Sequence, residues 1–378
     1  MSRVPVGLQG VAVRALYALP EPLRRLAAGP PVRIEGNELA LDAQLLLRMI
    51  KLTDVRLSGP VVEDARRDLE QVGPMLAGPV IQQVRTRDLR VPVEGGDIPA
   101  RLYTPGGLGE ESPLLVYYHG GGFTVGSIRT HDNLCRFLAK NAELRVLSIG
   151  YRLGPEHPFP TAPADALAGF AYAVRHADEL GAEPSAIAVG GDSAGANLAA
   201  VTAYQALRAG GSRPAFQLLF YPRIDLANRH PSRDTFADGF FLTDEDLEWF
   251  DEHYLPDRAL GADPLASPLL AEDLGGLPPT YLSTAGFDPL RDEGEAFGNR
   301  LVAAGVPVVA RCHTDLIHGF VNFIGIGRRF REAVAEAAGA LRTGLELRSR
   351  AHAEDLFGKR SNSGPRSRKE HGNPTQGH

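Results

Sequence analysis

The sequence has only two cysteines among 378 residues, Cys135 and Cys312. Two thiols cannot build a disulfide framework or a structural zinc site, and the one bridge they could form would join a helix-like segment to a distant strand-like one. Both read as buried free thiols, which fits a reducing, cytoplasmic setting. Excess positive charge is also missing, since 40 Lys and Arg stand against 46 Asp and Glu for a net charge of -6. Without a broad positive field, nucleic acid is not expected as a partner. No apolar run approaches the ~18 residues needed to cross a bilayer. Near the start of the chain, Pro5, Gly10 and Arg14 break a mildly apolar stretch before a secretory core of about 7 to 15 residues can form. No internal repeat is present.

What remains is 43% hydrophobic and 23% charged, enough for one large α/β core with accessory segments or for two small domains. Residues 1 to 78 are rich in helix formers interrupted at Pro20, Pro22, Pro30 and Pro31, and Leu41 to Leu52 carries an apolar face. They predict two or three short helices. Leu16, Leu19, Leu23 and Leu26, beside Arg14, Arg24 and Arg25, could touch a membrane surface. Pro20 and Pro22 break that amphipathic face, so a buried covering helix is the expectation. From Val84 the pattern changes to a hairpin around Glu94-Gly95-Gly96. Short apolar runs then alternate with helical stretches: Leu114 to Tyr118, Arg145 to Ile149, Ile187 to Val189, Phe216 to Tyr221, Thr280 to Thr284 and Val308 to His313. Repeated βα units predict an α/β class with a mostly parallel central sheet and helices on both faces.

Two segments fall outside that rhythm. More than fifty residues separate the run ending at Tyr221 from the one starting at Thr280, and they include Phe236, Phe240, Phe241, Leu247, Trp249, Phe250 and Tyr254. This is either an ordinary crossover or a lid, and a long insertion in a compact domain favours the lid. Thr243 and Asp246 have the spacing of a helix N-cap and its partner. The last helix is expected over Arg328 to Leu347, and residues 358 to 378, almost without apolar side chains, read as disordered.

Gly191-Asp192-Ser193-Ala194-Gly195 follows a strand-like run and opens a helical one. That is the setting in which a serine is exposed on a sharp strand-to-helix turn, with small residues two positions to either side. Alone the pattern is weak, because a random chain of this composition contains it with probability about 0.2. A glycine-rich helix start that merely turns the chain or holds an anion would look the same. His119-Gly120-Gly121-Gly122, directly after the Leu114 to Tyr118 run, has a chance expectation of only about 0.015. Its glycines would leave backbone N–H groups free to face a developing negative charge. A P-loop is excluded because the G-K-[ST] ending is absent, and G-x-G-x-x-G fails at Val125.

With these motifs the chain resembles the hormone-sensitive-lipase-like family of α/β-hydrolases, in its bacterial esterase branch. The matching stretches are Tyr118 to Phe123, Tyr151-Arg152-Leu153-Gly154-Pro155-Glu156-His157-Pro158-Phe159-Pro160, Gly191 to Gly195, Asp288 to Gly294 and His318-Gly319-Phe320. They run in family order over residues 118 to 320. Gly154 departs from the alanine more common there, and the first 78 residues match only loosely. The resemblance implies the α/β-hydrolase fold with a helical cap: residues 1–78 as a capping segment, 79–350 as the core with a cap insertion at about 228–265, and 351–378 as a polar tail.

A serine nucleophile needs a base, and the base needs an acid to fix its tautomer. Of the five histidines beyond residue 300, His352, His371 and His378 lie in or near the tail, where precise geometry could not be held. His313 would close a strand and reads as structural. His318 stands in the loop past that strand, where open parallel sheets carry catalytic groups, and the resemblance implies the same residue. For the acid, Asp288 follows the Thr280 run and precedes Pro289, which biases it away from helix. Asp292 and Glu293 are rivals, although Asp292 with Glu295 has the spacing of a capping box. The resemblance assigns the acid to Asp288. Oxyanion donors are expected at the N–H groups of Gly121, Gly122 and Ala194. His119 is expected to organise its loop and Asp192 to serve packing or hydrogen bonding. Arg152, Glu156 and His157 read as a structural network.

The expected activity is hydrolysis of short to medium acyl esters, with a small ester as partner and with no cofactor and no metal. Two alternatives stay open: cleavage of amides or lactones by the same triad, and a non-catalytic ligand-binding protein, since plant gibberellin receptors resemble this family. Such receptors commonly lose the histidine, and His318 is present. A homodimer is compatible with the sequence, which does not fix the oligomeric state.

Overall fold

The computed structural model describes residues 6–53 and 57–361. Its first part holds helices α1 (Val6–Tyr17) and α2 (Glu21–Ala28), a two-residue hairpin of β1 (Arg33–Ile34) and β2 (Asn37–Glu38), and helices α3 (Leu41–Thr53) and α4 (Val62–Ala77). There are thus four helices here rather than two or three. The prolines do punctuate them, with Pro20 at the start of α2 and Pro30-Pro31 past its end.

A hairpin of β3 (Val84–Val93) and β4 (Gly96–Pro105) leads into the main sheet. Then come β5 (Ser112–Tyr118), α5 (Asp132–Ala142), β6 (Arg145–Ile149), α6 (Thr161–Arg175), α7 (Ala177–Leu180), β7 (Ala182–Asp192), α8 (Ala194–Ala209) and β8 (Gln217–Phe220). The long insertion contributes α9 (Pro231–Thr235) and α10 (Asp244–Tyr254). The chain closes with β9 (Thr280–Phe287), α11 (Arg291–Ala303), β10 (Val308–Ile317) and α12 (Arg328–Ser361).

Eight strands lie in the order β10-β9-β8-β7-β5-β6-β4-β3. The five pairings from β10 to β6 are parallel, while β3, β4 and β6 pair antiparallel. Parallel strands covered on both faces read as continuous apolar runs, and all eight residues of β9 are buried. Alternation along β5 sends its residues to two different cores. Leu115 and Tyr117 join α5 and α12, whereas Leu114, Val116 and Tyr118 join α6 and α8. Each fully buried side chain of that size contributes roughly 1.5–3 kcal/mol. The order reverses where β5 is flanked by β6 on one side and β7 on the other. In open sheets of this kind ligands bind at the carboxyl ends of the strands beside that reversal.

Three expectations need correction. Leu19, Leu23 and Leu26 are 38%, 49% and 80% exposed, so α2 is not a buried covering helix. It has only eight residues, and it leans on α3 through Ala28 and an Arg24–Asp42 ion pair rather than through its leucines. Cys312 is half-buried in β10, on an edge strand, while Cys135 is fully buried; both are free. The last helix continues to Ser361, because Ala351, Ala353, Glu354 and Leu356 are helix formers. The first eleven residues of the expected 351–378 tail are therefore helical, and 362–378 lie outside the described residues. Among the described residues, no helix is long and apolar enough to cross a membrane.

Candidate active site

Ser193 sits between the end of β7 and the start of α8 with φ 54° and ψ −120°. A side chain other than glycine rarely occupies that region, and such strain persists only where the surroundings over-determine it. Here they do. Ser193 N–H donates to Phe220 O at 2.9 Å, and its carbonyl accepts from Asn197 N at 3.1 Å and Arg223 N at 3.2 Å. A Cβ on Gly195 would overlap the Tyr118 carbonyl, and one on Gly191 would overlap Gly195, so β5, β7 and α8 approach this closely only through glycine.

Three strand ends deliver the remaining groups. His318 follows β10 and Asp288 follows β9. His318 Nε2 lies 3.0 Å from Ser193 Oγ and Nδ1 lies 2.8 Å from Asp288 Oδ2. A carboxylate only accepts, so Nδ1–H donates to Asp288 and leaves Nε2 to accept from the serine hydroxyl. Asp288 is fully buried, and its other oxygen accepts from Leu290 N–H at 2.8 Å, which fixes the carboxylate plane. The His318 ring packs 4.5 Å from that of Tyr221.

The glycine loop after β5 is held against the serine turn by Asp192. This buried carboxylate accepts from Gly120 N–H at 2.9 Å and Tyr117 Oη–H at 2.7 Å, with His131 Nε2 at 3.3 Å. Burial pushes its carboxyl up, but His131 and these donors outweigh burial and hold it down at about 2. Burial, with His131 beside it, pushes His119 down to about 3 and keeps it neutral. Its ring stacks on Tyr151 at 4.4 Å, and Tyr151 Oη–H donates to the His119 carbonyl at 2.7 Å. Gly121 and Gly122 have φ 122° and 56°, and a Cβ on Gly122 would overlap the Phe250 ring. Gly121, Gly122, Ser193 and His318 line one cavity of about 290 Å³. Most of its other walls are apolar, from α1, α3, α4 and the insertion, with Thr130, His131 and Asn322 among the polar residues that complete them. Ala194 N–H, at the first turn of α8, has no carbonyl one turn back to bond.

The residues of the other expectations lie nearby. His313 is buried within β10 beside Arg329, and burial pushes it down to about 4. Asp292 accepts from Ser232 N–H at 2.7 Å and makes no capping box, because α11 starts at Arg291 with Leu290 as its N-cap and Asp292 already lies inside the helix. Arg152 pairs with buried Asp165 at 2.7 Å. Glu156 pairs with Arg66 of α4 at 2.7 Å. Thr243 and Asp246 do form the capping box of α10.

Sequence reasoning passed over His131, Tyr221 and a buried cluster behind the serine turn. In that cluster Arg223 pairs with Asp251 at 2.9 Å and Glu293 at 3.0 Å. Burial pushes Glu293 up to about 7 against the pull of Arg223 and the Ile224 N–H. Glu293 lies within the Asp288 to Gly294 stretch, where its position offers it only as a rival acid, and His131 belongs to none of the matching stretches.

Residues 115–322 match the family described by the α/β hydrolase fold. The chain is 45% identical to the carboxylic ester hydrolase LipN of Mycobacterium tuberculosis, an alignment covering 91% of this chain and 93% of that protein. The chain belongs to the α/β-hydrolase family. Carboxylesterase NlhH of Mycobacterium tuberculosis is 37% identical over 80% of this chain and 95% of its own. Among solved structures, the esterase of Pyrobaculum calidifontis superposes with TM-score 0.74 at 40% identity, covering 79% of this chain and 97% of that one. An ester hydrolase from the Lake Arreo metagenome gives TM-score 0.76 at 37% identity, covering 81% and 98%. Ser193, Asp288 and His318 follow one another along the sequence in the order that α/β-hydrolases use for nucleophile, acid and histidine.

Proposed function

We propose that this α/β-hydrolase is a carboxylic-ester hydrolase in which Ser193 is the nucleophile, His318 the general base and Asp288 the acid that orients it. Ser193 Oγ attacks the ester carbonyl carbon while its proton passes to His318 Nε2. Asp288 accepts from Nδ1–H and stabilises the imidazolium without taking its proton. The carbonyl oxygen becomes negative facing the N–H groups of Gly121, Gly122 and Ala194. Loss of one such donor typically lowers turnover by about a hundredfold to a thousandfold, ~3–4 kcal/mol. The intermediate collapses, the C–O bond to the alcohol breaks, and His318 returns the proton to the departing alkoxide. Water then attacks the acyl-serine by the same route, releasing the acid and restoring the hydroxyl.

The observation that carries this reading is the unbroken hydrogen-bonded chain from Ser193 Oγ through His318 to Asp288 at the wall of the cavity. The apolar walls favour short to medium acyl groups. Helices α1, α3 and α4 of residues 1–78 and the 228–265 insertion act as the cap that closes the cavity from above. A fluorophosphonate probe tests the assignment. Peptide sequencing is expected to find one adduct, on Ser193; an adduct elsewhere, or none, overturns it.

A further inference from the structure

A second cavity, of about 640 Å³, lies between α3 and the loop that precedes α10. It shares Ile50, Leu57 and Phe241 with the cavity at Ser193, so these side chains stand between the two. The chambers differ in chemistry. The inner one is walled by leucines, valines and phenylalanines around the reacting groups. The outer one carries Arg48, Asp238, Glu245 and Asp246, and its surface is nearly as polar as it is apolar.

Phe241 is the strained member of the partition. Its φ is 77°, and Leu242 N–H donates to Phe240 O at 3.1 Å across it. That is a γ-turn with a positive central φ, a rare and strained turn that a bulky residue normally avoids. The turn is clamped at both ends. Asp244 N–H donates to Ala237 O at 2.8 Å, and the capping box of α10 begins at Thr243. Ser58 Oγ–H donates to Asp246 at 2.5 Å and ties this corner to the chain between α3 and α4. The ring meets Phe323 edge-on at 5.2 Å and crowds Gly319, where a Cβ would come within 2.8 Å of it. Gly319 adjoins His318, so the ring abuts the residue that follows the proposed base.

We propose that Phe241 is a specificity-determining partition: its ring ends the apolar chamber, sets the longest acyl chain accepted, and screens the reacting groups from the wetter outer chamber. The proposal rests on the ester-hydrolase reading above and deepens it. An extended acyl chain would meet the ring end-on. Removing the ring would join the chambers and let a longer chain pass toward α3.

The test measures kcat/KM for p-nitrophenyl butanoate and dodecanoate in the full chain, for wild type and Phe241→Ala. The dodecanoate-to-butanoate ratio is expected to rise at least tenfold in Phe241→Ala. Adding Leu47→Trp, which fills the outer chamber, should bring the ratio of that variant back toward wild type. If Phe241→Ala loses its folded circular dichroism spectrum, Phe241→Leu takes its place and is expected to raise the ratio at least threefold. An unchanged ratio in a variant that still labels with fluorophosphonate overturns the partition and leaves the ester reading standing. Wild type that hydrolyses neither ester and takes no label overturns both.

Discussion

Around Ser193 the neighbours are fixed by backbone. Phe220, Asn197 and Arg223 each hold the serine's main chain by a hydrogen bond, and glycines bring β5, β7 and α8 into contact. Above the cavity the ties run between side chains. Arg66 reaches Glu156, Ser58 reaches Asp246, and Phe241 and Phe250 lean on neighbours across the gap. Val11, Leu23 and Leu26 of that upper region remain exposed, whereas the inner strands β6, β8 and β9 below are buried along their length. A serine turn held through backbone keeps its shape when exposed side chains change, with Asp192 and Asp288 adding buried side-chain ties for the glycine loop and His318. A roof held largely through side chains can change shape by substitution, so the proposed function assigns the chemistry to the floor and selectivity to the roof.

The largest expected break is Ser193→Ala. Ester hydrolysis should fall at least about a thousandfold, because the nucleophile is lost while the oxyanion donors remain. Thermal melting should stay within a few degrees; a residual rate within tenfold of wild type would move the chemistry out of the floor. Next is Gly122→Ala, where a methyl group at φ 56° meets the Phe250 ring. A displaced oxyanion loop should cost about a hundredfold in kcat. Because the collision is with a roof side chain, adding Phe250→Ala should recover at least tenfold. No recovery would mean that floor and roof are uncoupled there.

A smaller effect concerns acid. His119 and His313 have folded pKa values lowered from 6.5 to about 3 and about 4 by burial. Above pH 6.5 both are neutral folded or unfolded, and their contribution is complete. As pH falls from 6.5 toward 4, the unfolded chain binds protons that the folded one refuses, so stability falls. Glu293, raised to about 7, works in the opposite sense over part of that window, so the comparison is between variants: the melting temperature of His119→Asn should drop less steeply than that of wild type, and equal slopes would show that the His119 ring is not held neutral. The smallest effect is Arg66→Ala in the roof. Its ion pair with Glu156 is partly exposed and contributes at most about 1 kcal/mol. Its hydrogen bonds to the Thr124 and Gly154 carbonyls also join α4 to the loops below. KM should rise several-fold with kcat within twofold, measured on the butanoate ester. A kcat loss as large as that of Gly122→Ala would erase the distinction between the regions.

The parallel strands, the serine turn and the glycine loop were legible in the residues because each follows a local rule. A run buried on both faces is apolar throughout, and a turn that must pack without Cβ atoms is written in glycine. The corner at Thr243 and Asp246 was legible for the same reason. The boundaries of α11 were not, because Asp292 turned to Ser232, sixty residues away, instead of capping its own helix.

The sequence by itself determined which chemistry was on offer: a serine on a tight turn, a histidine past a strand end, a short list of acids beside Asp288, and a loop of glycines with no side chains of their own to cover its amides. Only the tertiary structure decided that His318 reaches Ser193, that Asp192 and His131 pin the loop, that Arg223 lies buried between Asp251 and Glu293, and that Phe241 stands between two chambers. The physical reason is range. Turns and strands answer to neighbours a few residues away, whereas each of these contacts joins segments brought together only when the sheet and the helices above it close on the same cavity.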